Sequence, residues 1–226
     1  MLIYEAMKYA YAAYCNVSGK YAYLENKFSM STIEDEYSFV YIIEYQDKIV
    51  CAFRGDEEEE KEINRNARKW GKKKNNEKNV FGFDKWNLIK KEVIQKIKKM
   101  EIRSGKNKKI YLIGHSLGGG MAILAGRDLK NEIKNKIEVI HFGTPNIFSE
   151  EEIEKYNKKG IKTTRIINGG DRITKYPKKK YNPGKIIKLR KKLFPLIIIG
   201  MKAHSPQMYL KAAKESNMEY WKYWEV

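Results

Sequence analysis

The stretch "IYLIGHSLGGGMAILAGRDL", residues 110–129, constrains the fold of this chain more than any other. A short apolar run, "IYLI", reads as a strand. It leads through Gly114-His115-Ser116-Leu117-Gly118 into small and apolar residues that read as a helix from about 117 to 130. A strand that passes to a helix through G-x-S-x-G leaves its serine on a sharp, strained turn, with the hydroxyl presented at the strand end. Gly114 and Gly118 keep side chains away from the places where strand and helix nearly touch. Gly119, Gly120, Ala122 and Ala125 leave further room for close packing. A phosphate-cradling loop is disfavoured, because no G-K-[ST] follows and the spacing does not fit G-x-G-x-x-G. An incidental serine in a glycine-rich turn remains the alternative for this motif taken alone.

A serine hydroxyl becomes a nucleophile only when a neighbouring base takes its proton. The chain has three histidines, so the search for that base is short. His115 adjoins the serine, where side chains diverge, and is expected to pack beneath it. His141 lies inside the strand of "VIHFGTP" and reads as a buried strand residue. His204, in "MKAHSP", falls in a loop before the final helix and after all the strands. That is the place of the base in the chain order serine, acid, histidine. Asp171 stands in "RIINGGDRITKYP", directly after a strand and two glycines, and is the only acidic residue between Glu154 and Glu215. The glutamates of 132–154 read instead as surface groups among lysines. Ser116, Asp171 and His204 are thus the candidate catalytic residues.

The rest of the pattern is α/β. A first helix over 2–14 precedes strands at 37–45 and 48–54, joined at Gln46-Asp47 in a tight antiparallel hairpin. Helical periodicity returns over 85–102, where Trp86, Ile89, Val93, Ile97 and Met100 recur at three or four residues. Strands at 137–142, 161–167 and 186–190 follow, with helices at 150–158 and 207–219. Strands alternating with helices imply a predominantly parallel central sheet, with the hairpin adding antiparallel strands at one side. Length favours one domain over 1–226, since 226 residues with five prolines and no low-complexity linker suit a single core. Sixteen tyrosines, eight phenylalanines and four tryptophans supply ample aromatic core.

Two cysteines, Cys15 and Cys51, sit in apolar settings and read as small core residues, with a bridge between them left open. No metal spacing is visible. The longest apolar run, "FPLIIIG" at 194–200, is far too short for a transmembrane span. The N-terminus lacks a secretory pattern, which fits either a cytoplasmic protein or a secreted one whose signal has been removed. The formal charge is +18. Residues 90–109 hold nine Lys or Arg against two Glu, and 158–192 hold fourteen against one Asp. No nucleic-acid-binding signature accompanies them, so nucleic acid is disfavoured against plain solvated surface or contact with an anionic lipid surface.

Taken in order, these segments resemble the class 3 lipases, the α/β-hydrolase family of the fungal triacylglycerol lipases and their plant, bacterial and viral relatives. "YAAYC", "IVCAFRG", "FGFDKWNLIKKEV", "IYLIGHSLGGGMAILA", "HFGTPNI", "RIINGGDRITKYP" and "AHSP" carry the resemblance. It implies an α/β-hydrolase fold with Ser116, Asp171 and His204 as catalytic triad. It also implies an oxyanion hole from the backbone N–H of Leu117 and of the residue after "FRG". Here that residue is Asp56, where relatives usually carry Ser or Thr. A carboxylate only accepts hydrogen bonds, so Asp56 would lend its backbone alone and its side chain would repel an oxyanion. Residues 56–80 stand where relatives carry an amphipathic lid. Ile63, Ala67 and Trp70 leave only a thin apolar stripe, and both a lid and a solvated covering segment remain open. The implied activity is hydrolysis of fatty-acid esters through an acyl-enzyme, without cofactor or metal. The substrate would be an acylglycerol, a phospholipid or a soluble acyl ester. The rival reading is a catalytically weak relative that binds membranes or a protein.

Overall fold

The central strands are buried at nearly every position, and that burial requires cover on both faces of the sheet. Strand β2 (Ser38–Glu44) is buried throughout, as is β5 (Ile137–Phe142), and β4 (Lys109–His115) is buried at all but its first residue. The computed structural model describes residues 1–14, 29–35, 38–55, 82–104, 108–189 and 201–222. Among these, seven strands form one sheet in sequential order, β1 (Ser29–Asp35), β2, β3 (Lys48–Phe53), β4, β5, β6 (Lys162–Asn168) and β7 (Lys185–Leu189). The β1–β2 and β2–β3 pairs are antiparallel, and every later pair is parallel. The fold is therefore α/β with a mostly parallel sheet, as the sequence pattern implies.

Period-two alternation splits the core in two. Val40, Ile42, Cys51, Phe53, Leu112 and Val139 face helices α2 (Phe83–Ser104) and α3 (Leu117–Leu129). Tyr41, Ile43, Val50, Ala52, Ile113 and Phe142 face helices α1 (Ile3–Ala12) and α6 (Pro206–Lys222). Helix α4 (Glu150–Lys158) begins on a capping box between Ser149 and Glu152, the pairing that satisfies two otherwise orphaned backbone donors. Helices α2 and α3 are tied by a buried polar contact. Trp86 Nε1–H donates to Asp128 at 2.9 Å, and Lys90 reaches the same carboxylate at 2.8 Å.

Three elements differ from the expectation. Strand β1 extends the hairpin to three antiparallel strands, although of its described side chains only Ile33 is buried. His204 ends a one-turn helix, α5 (Met201–His204), rather than lying in a loop. Glu138 is not a surface group. It lies buried on β5 and binds Lys109 and Lys162 on the flanking strands at 2.6 and 3.1 Å, which compensates its burial. Cys51 is a free, buried thiol on β3, whose ionisation burial pushes up. Cys15, Asp56, the 56–80 segment and the apolar run at 194–199 lie outside the described residues. No helix among the described residues is long and apolar enough to cross a membrane.

Candidate active site

Strand β4 delivers His115, and helix α3 begins at Leu117, so Ser116 must turn the chain through a sharp angle. Its φ of 54° and ψ of −121° place a non-glycine residue in a sparsely populated region. Such strain persists only where the surroundings over-determine it. Here Ser116 N–H donates to Phe142 O at 2.9 Å, and Ser116 O accepts from the N–H groups of Gly119 and Gly120. The elbow is also closed by backbone lying against backbone. A Cβ on Gly114 would collide with the carbonyl of Gly118, and one on Gly118 with the carbonyl of Phe53 at the end of β3.

Asp171 is held just beyond the end of β6. Asp171 N–H donates to Asn168 O, and Asn168 Nδ2 donates to Ala203 O at 3.0 Å, which links the acid's turn to α5. The Asp171 carboxylate accepts three donors. Ile173 N–H reaches Oδ1 at 2.9 Å, while His204 Nδ1–H and Tyr209 O–H reach Oδ2 at 2.8 and 2.7 Å. His204 Nε2 lies 2.9 Å from Ser116 Oγ. A carboxylate only accepts, so the proton on His204 sits at Nδ1, and Nε2 is free to accept from the serine. Ser116, Asp171 and His204 are 2%, 2% and 4% exposed.

His115 lies under this series, as its place beside the elbow suggests. Its Nε2–H donates to the backbone carbonyl of His204 at 2.7 Å, which fixes its tautomer and leaves Nδ1 to accept from Tyr14 O–H at 2.7 Å. The rings of His115 and His204 are 4.8 Å apart. Burial, followed by the charge of His204, holds His115 well below the ordinary histidine range. His115 therefore stays neutral and puts no cation of its own beside His204. Burial, then the charge of Asp171, raises the Tyr209 phenol well above its ordinary range, so that Tyr209 remains a donor. Tyr14 and Tyr209 were not singled out in the sequence. Leu117 opens α3, and its N–H has no acceptor within the helix.

A hydroxyl bonded to an unprotonated imidazole nitrogen, itself oriented by a carboxylate, is the arrangement that nucleophilic catalysis by serine requires. A surface groove of about 1250 Å³, lined by Phe148, Lys155 and Tyr181 among others, includes none of the three residues.

Comparison with known proteins places this architecture. The family model Lipase (class 3) matches residues 50–181. A chloroplastic phospholipase A(1) of Arabidopsis thaliana is 39% identical over 70 residues, which is 30% of this chain and only 16% of that relative's length. Lipase II from Rhizopus niveus superposes with a TM-score of 0.68 at 19% identity, over 84% of this chain and 81% of its own. A triacylglycerol lipase whose catalytic centre is described as a serine protease triad superposes with a TM-score of 0.69 at 16% identity, over 84% and 79%. At these identities the superpositions speak to the fold.

Proposed function

The chain belongs to the class 3 lipases, and from that premise we propose that it hydrolyses carboxylic esters of fatty acids with Ser116 as nucleophile. The observation that carries the proposal is the series Ser116 Oγ to His204 Nε2 at 2.9 Å and His204 Nδ1 to Asp171 Oδ2 at 2.8 Å. His204 takes the hydroxyl proton as Ser116 Oγ bonds to the ester carbonyl carbon. The tetrahedral oxyanion is met by the backbone N–H of Leu117 and, as the family resemblance implies, that of Asp56. Collapse breaks the carbon–oxygen bond of the alcohol, which leaves with the proton from His204. Water, deprotonated by His204, then attacks the acyl-enzyme and releases the fatty acid, restoring Ser116. Asp171 keeps the imidazole in the reactive tautomer and stabilises its cation, without itself taking the proton.

The substrate class we favour is acylglycerol, in keeping with the family and with the triacylglycerol lipases that share the fold. Phospholipid is the second reading, supported by the short but closer likeness to a phospholipase A(1). Residues 1–226 act in this account as one hydrolase domain, with 56–80 as its lid-like or covering segment. Turnover of p-nitrophenyl acetate and palmitate, trioleoylglycerol and phosphatidylcholine by wild type and Ser116→Ala tests the proposal. Loss of all turnover in a folded Ser116→Ala protein is expected. Asp171→Asn should lower kcat by up to about 10⁴, since the base then faces the wrong hydrogen-bond partner. Activity near wild type in either variant would reject the assignment, and inactivity of the wild type on every ester would leave the weak, binding-only relative.

A further inference from the structure

The two lysine-rich segments behave differently once folded. In 90–109, Lys90, Lys98, Lys108 and Lys109 reach carboxylates of Asp128, Glu132, Glu44 and Glu138 at 2.6 to 2.9 Å, and Arg103 also binds Glu44. Much of that charge is neutralised by the fold. Beyond Asp171 the situation reverses. Arg172, Lys175, Lys178, Lys179, Lys185 and Lys188 are all exposed, and among the described residues no carboxylate pairs with any of them. The sequence offers no acid between Asp171 and Glu215. Interleaved with these cations are Tyr176, Tyr181 and Ile186, 47%, 42% and 51% exposed.

The fold gathers these residues near β7, all but Lys185 on one side of the sheet, since Lys185 shares the face of Ile187 and Leu189. The loop between the 3₁₀ turn Ile173–Lys175 and β7 is pinned there. Arg165 donates to Thr174 O, His141 Nε2–H donates to Pro183 O at 3.2 Å, and Tyr181 pairs with Phe148. On β7, Ile187 and Leu189 pack towards α1 and α6, so alternation turns Ile186 and Lys188 to the opposite face, where that loop lies. The patch adjoins the candidate active site, because the same 3₁₀ turn holds the acid. Ile173 N–H and Thr174 Oγ1 both bond to Asp171. On its far flank three of the four carboxylates of α4 are already engaged, and the fourth, Glu154, is exposed. Glu150 accepts from Tyr181, Glu151 binds Lys155, and Glu152 closes the capping box.

We propose that this face docks on anionic phospholipid membranes and so selects esters presented in such a surface as substrate. Uncompensated cations are drawn to an anionic leaflet, while tyrosines favour the boundary between headgroups and acyl chains. The exposed isoleucine gains from that boundary and would gain nothing along a phosphate backbone. Nucleic acid is therefore the less suited partner. The substrate part of the proposal rests on the hydrolase reading, whereas the docking part does not.

Co-sedimentation of the full chain with phosphatidylcholine vesicles, with and without phosphatidylserine, tests the docking without turnover. Binding should require phosphatidylserine and fall as salt rises from about 50 to about 500 mM. Each cation near an anionic leaflet contributes about fivefold, so Lys178→Gln/Lys179→Gln/Lys188→Gln should weaken binding on the order of 100-fold. The matching variant Lys91→Gln/Lys96→Gln/Lys99→Gln removes equal charge from α2, by the opposite edge of the sheet, and should cost less than about tenfold. Circular dichroism checks that both remain folded, and Lys188→Glu alone serves if the triple variant does not. Equal loss in both variants, equal binding to neutral vesicles, or no wild-type binding overturns the proposal. So does loss of duplex binding without loss of vesicle binding, which would assign the face to nucleic acid. Hydrolysis of a soluble short-chain ester, followed in parallel, reports on the hydrolase reading separately. Docking that persists in a protein inactive on every ester would leave the docking face standing and reject that reading and the substrate choice resting on it.

Discussion

At the scale of single residues, one oxygen of Asp171 serves two donors, His204 Nδ1–H and Tyr209 O–H. The phenol draws off negative charge that the imidazolium would otherwise meet. Tyr209→Phe should therefore leave more charge on Oδ2, which in the proposed reaction favours the imidazolium form of His204. Because His204 would act unprotonated in the proposed reaction, the acid limb of the kcat/KM–pH profile should move to higher pH. An unmoved limb with a merely lower kcat would mean that Tyr209 only fills space. The candidate acid and base were legible in the sequence for a simple reason. Three histidines and a single acid between Glu154 and Glu215 leave few choices. Tyr14 and Tyr209 were not legible, because nothing local marks two of sixteen tyrosines whose hydroxyls meet partners 101 and 38 residues away.

At the scale of elements, the strand–elbow–helix unit depends on three backbones touching. Gly118→Ala would drive a Cβ into the carbonyl of Phe53, and neither a helix start nor a strand end yields easily. A loss on the order of 3 kcal/mol is expected. Gly169→Ala is the control, since nothing lies within 4 Å of its added Cβ. Its effect should stay within about 0.5 kcal/mol. Denaturant midpoints decide the matter, and equal stabilities for the two variants would contradict this account of the elbow. Elements with a sustained period were readable, as β4, α2 and α3 illustrate. Those without one were not. β1 carries "SMSTIED", too polar for alternation to register, and is recruited by pairing along β2 from Ser29 to Asp35. The helix that ends at His204 has four residues, too few to display a helical repeat. Glu138 reads as a surface group in the sequence because its cations come from β4 and β6, which only the sheet brings alongside.

At the scale of the molecule, folding buries two histidines in neutral form. Burial lowers His141 to about 3, with a hydrogen bond to Pro183 O opposing, and lowers His115 well below its ordinary range. Between those folded values and the unfolded value near 6.5, the unfolded chain binds more protons, so stability rises with pH across that window. Acidification from pH 7 to pH 5 should thus cost about 2 kcal/mol through His141, with His115 acting in the same direction. Urea unfolding at the two pH values tests this, and an unchanged free energy would contradict the buried, neutral assignment. The same global folding creates the proposed centre, because Ser116, Asp171 and His204 come from the ends of β4, β6 and α5 and meet only in the native state. Treatment with a fluorophosphonate ester, read by intact mass and peptide mapping, tests that claim most directly. The account predicts one adduct per native chain, on Ser116, absent after unfolding in urea and in His204→Ala. An adduct on another residue, or labelling of Ser116 that survives unfolding or loss of His204, would contradict it.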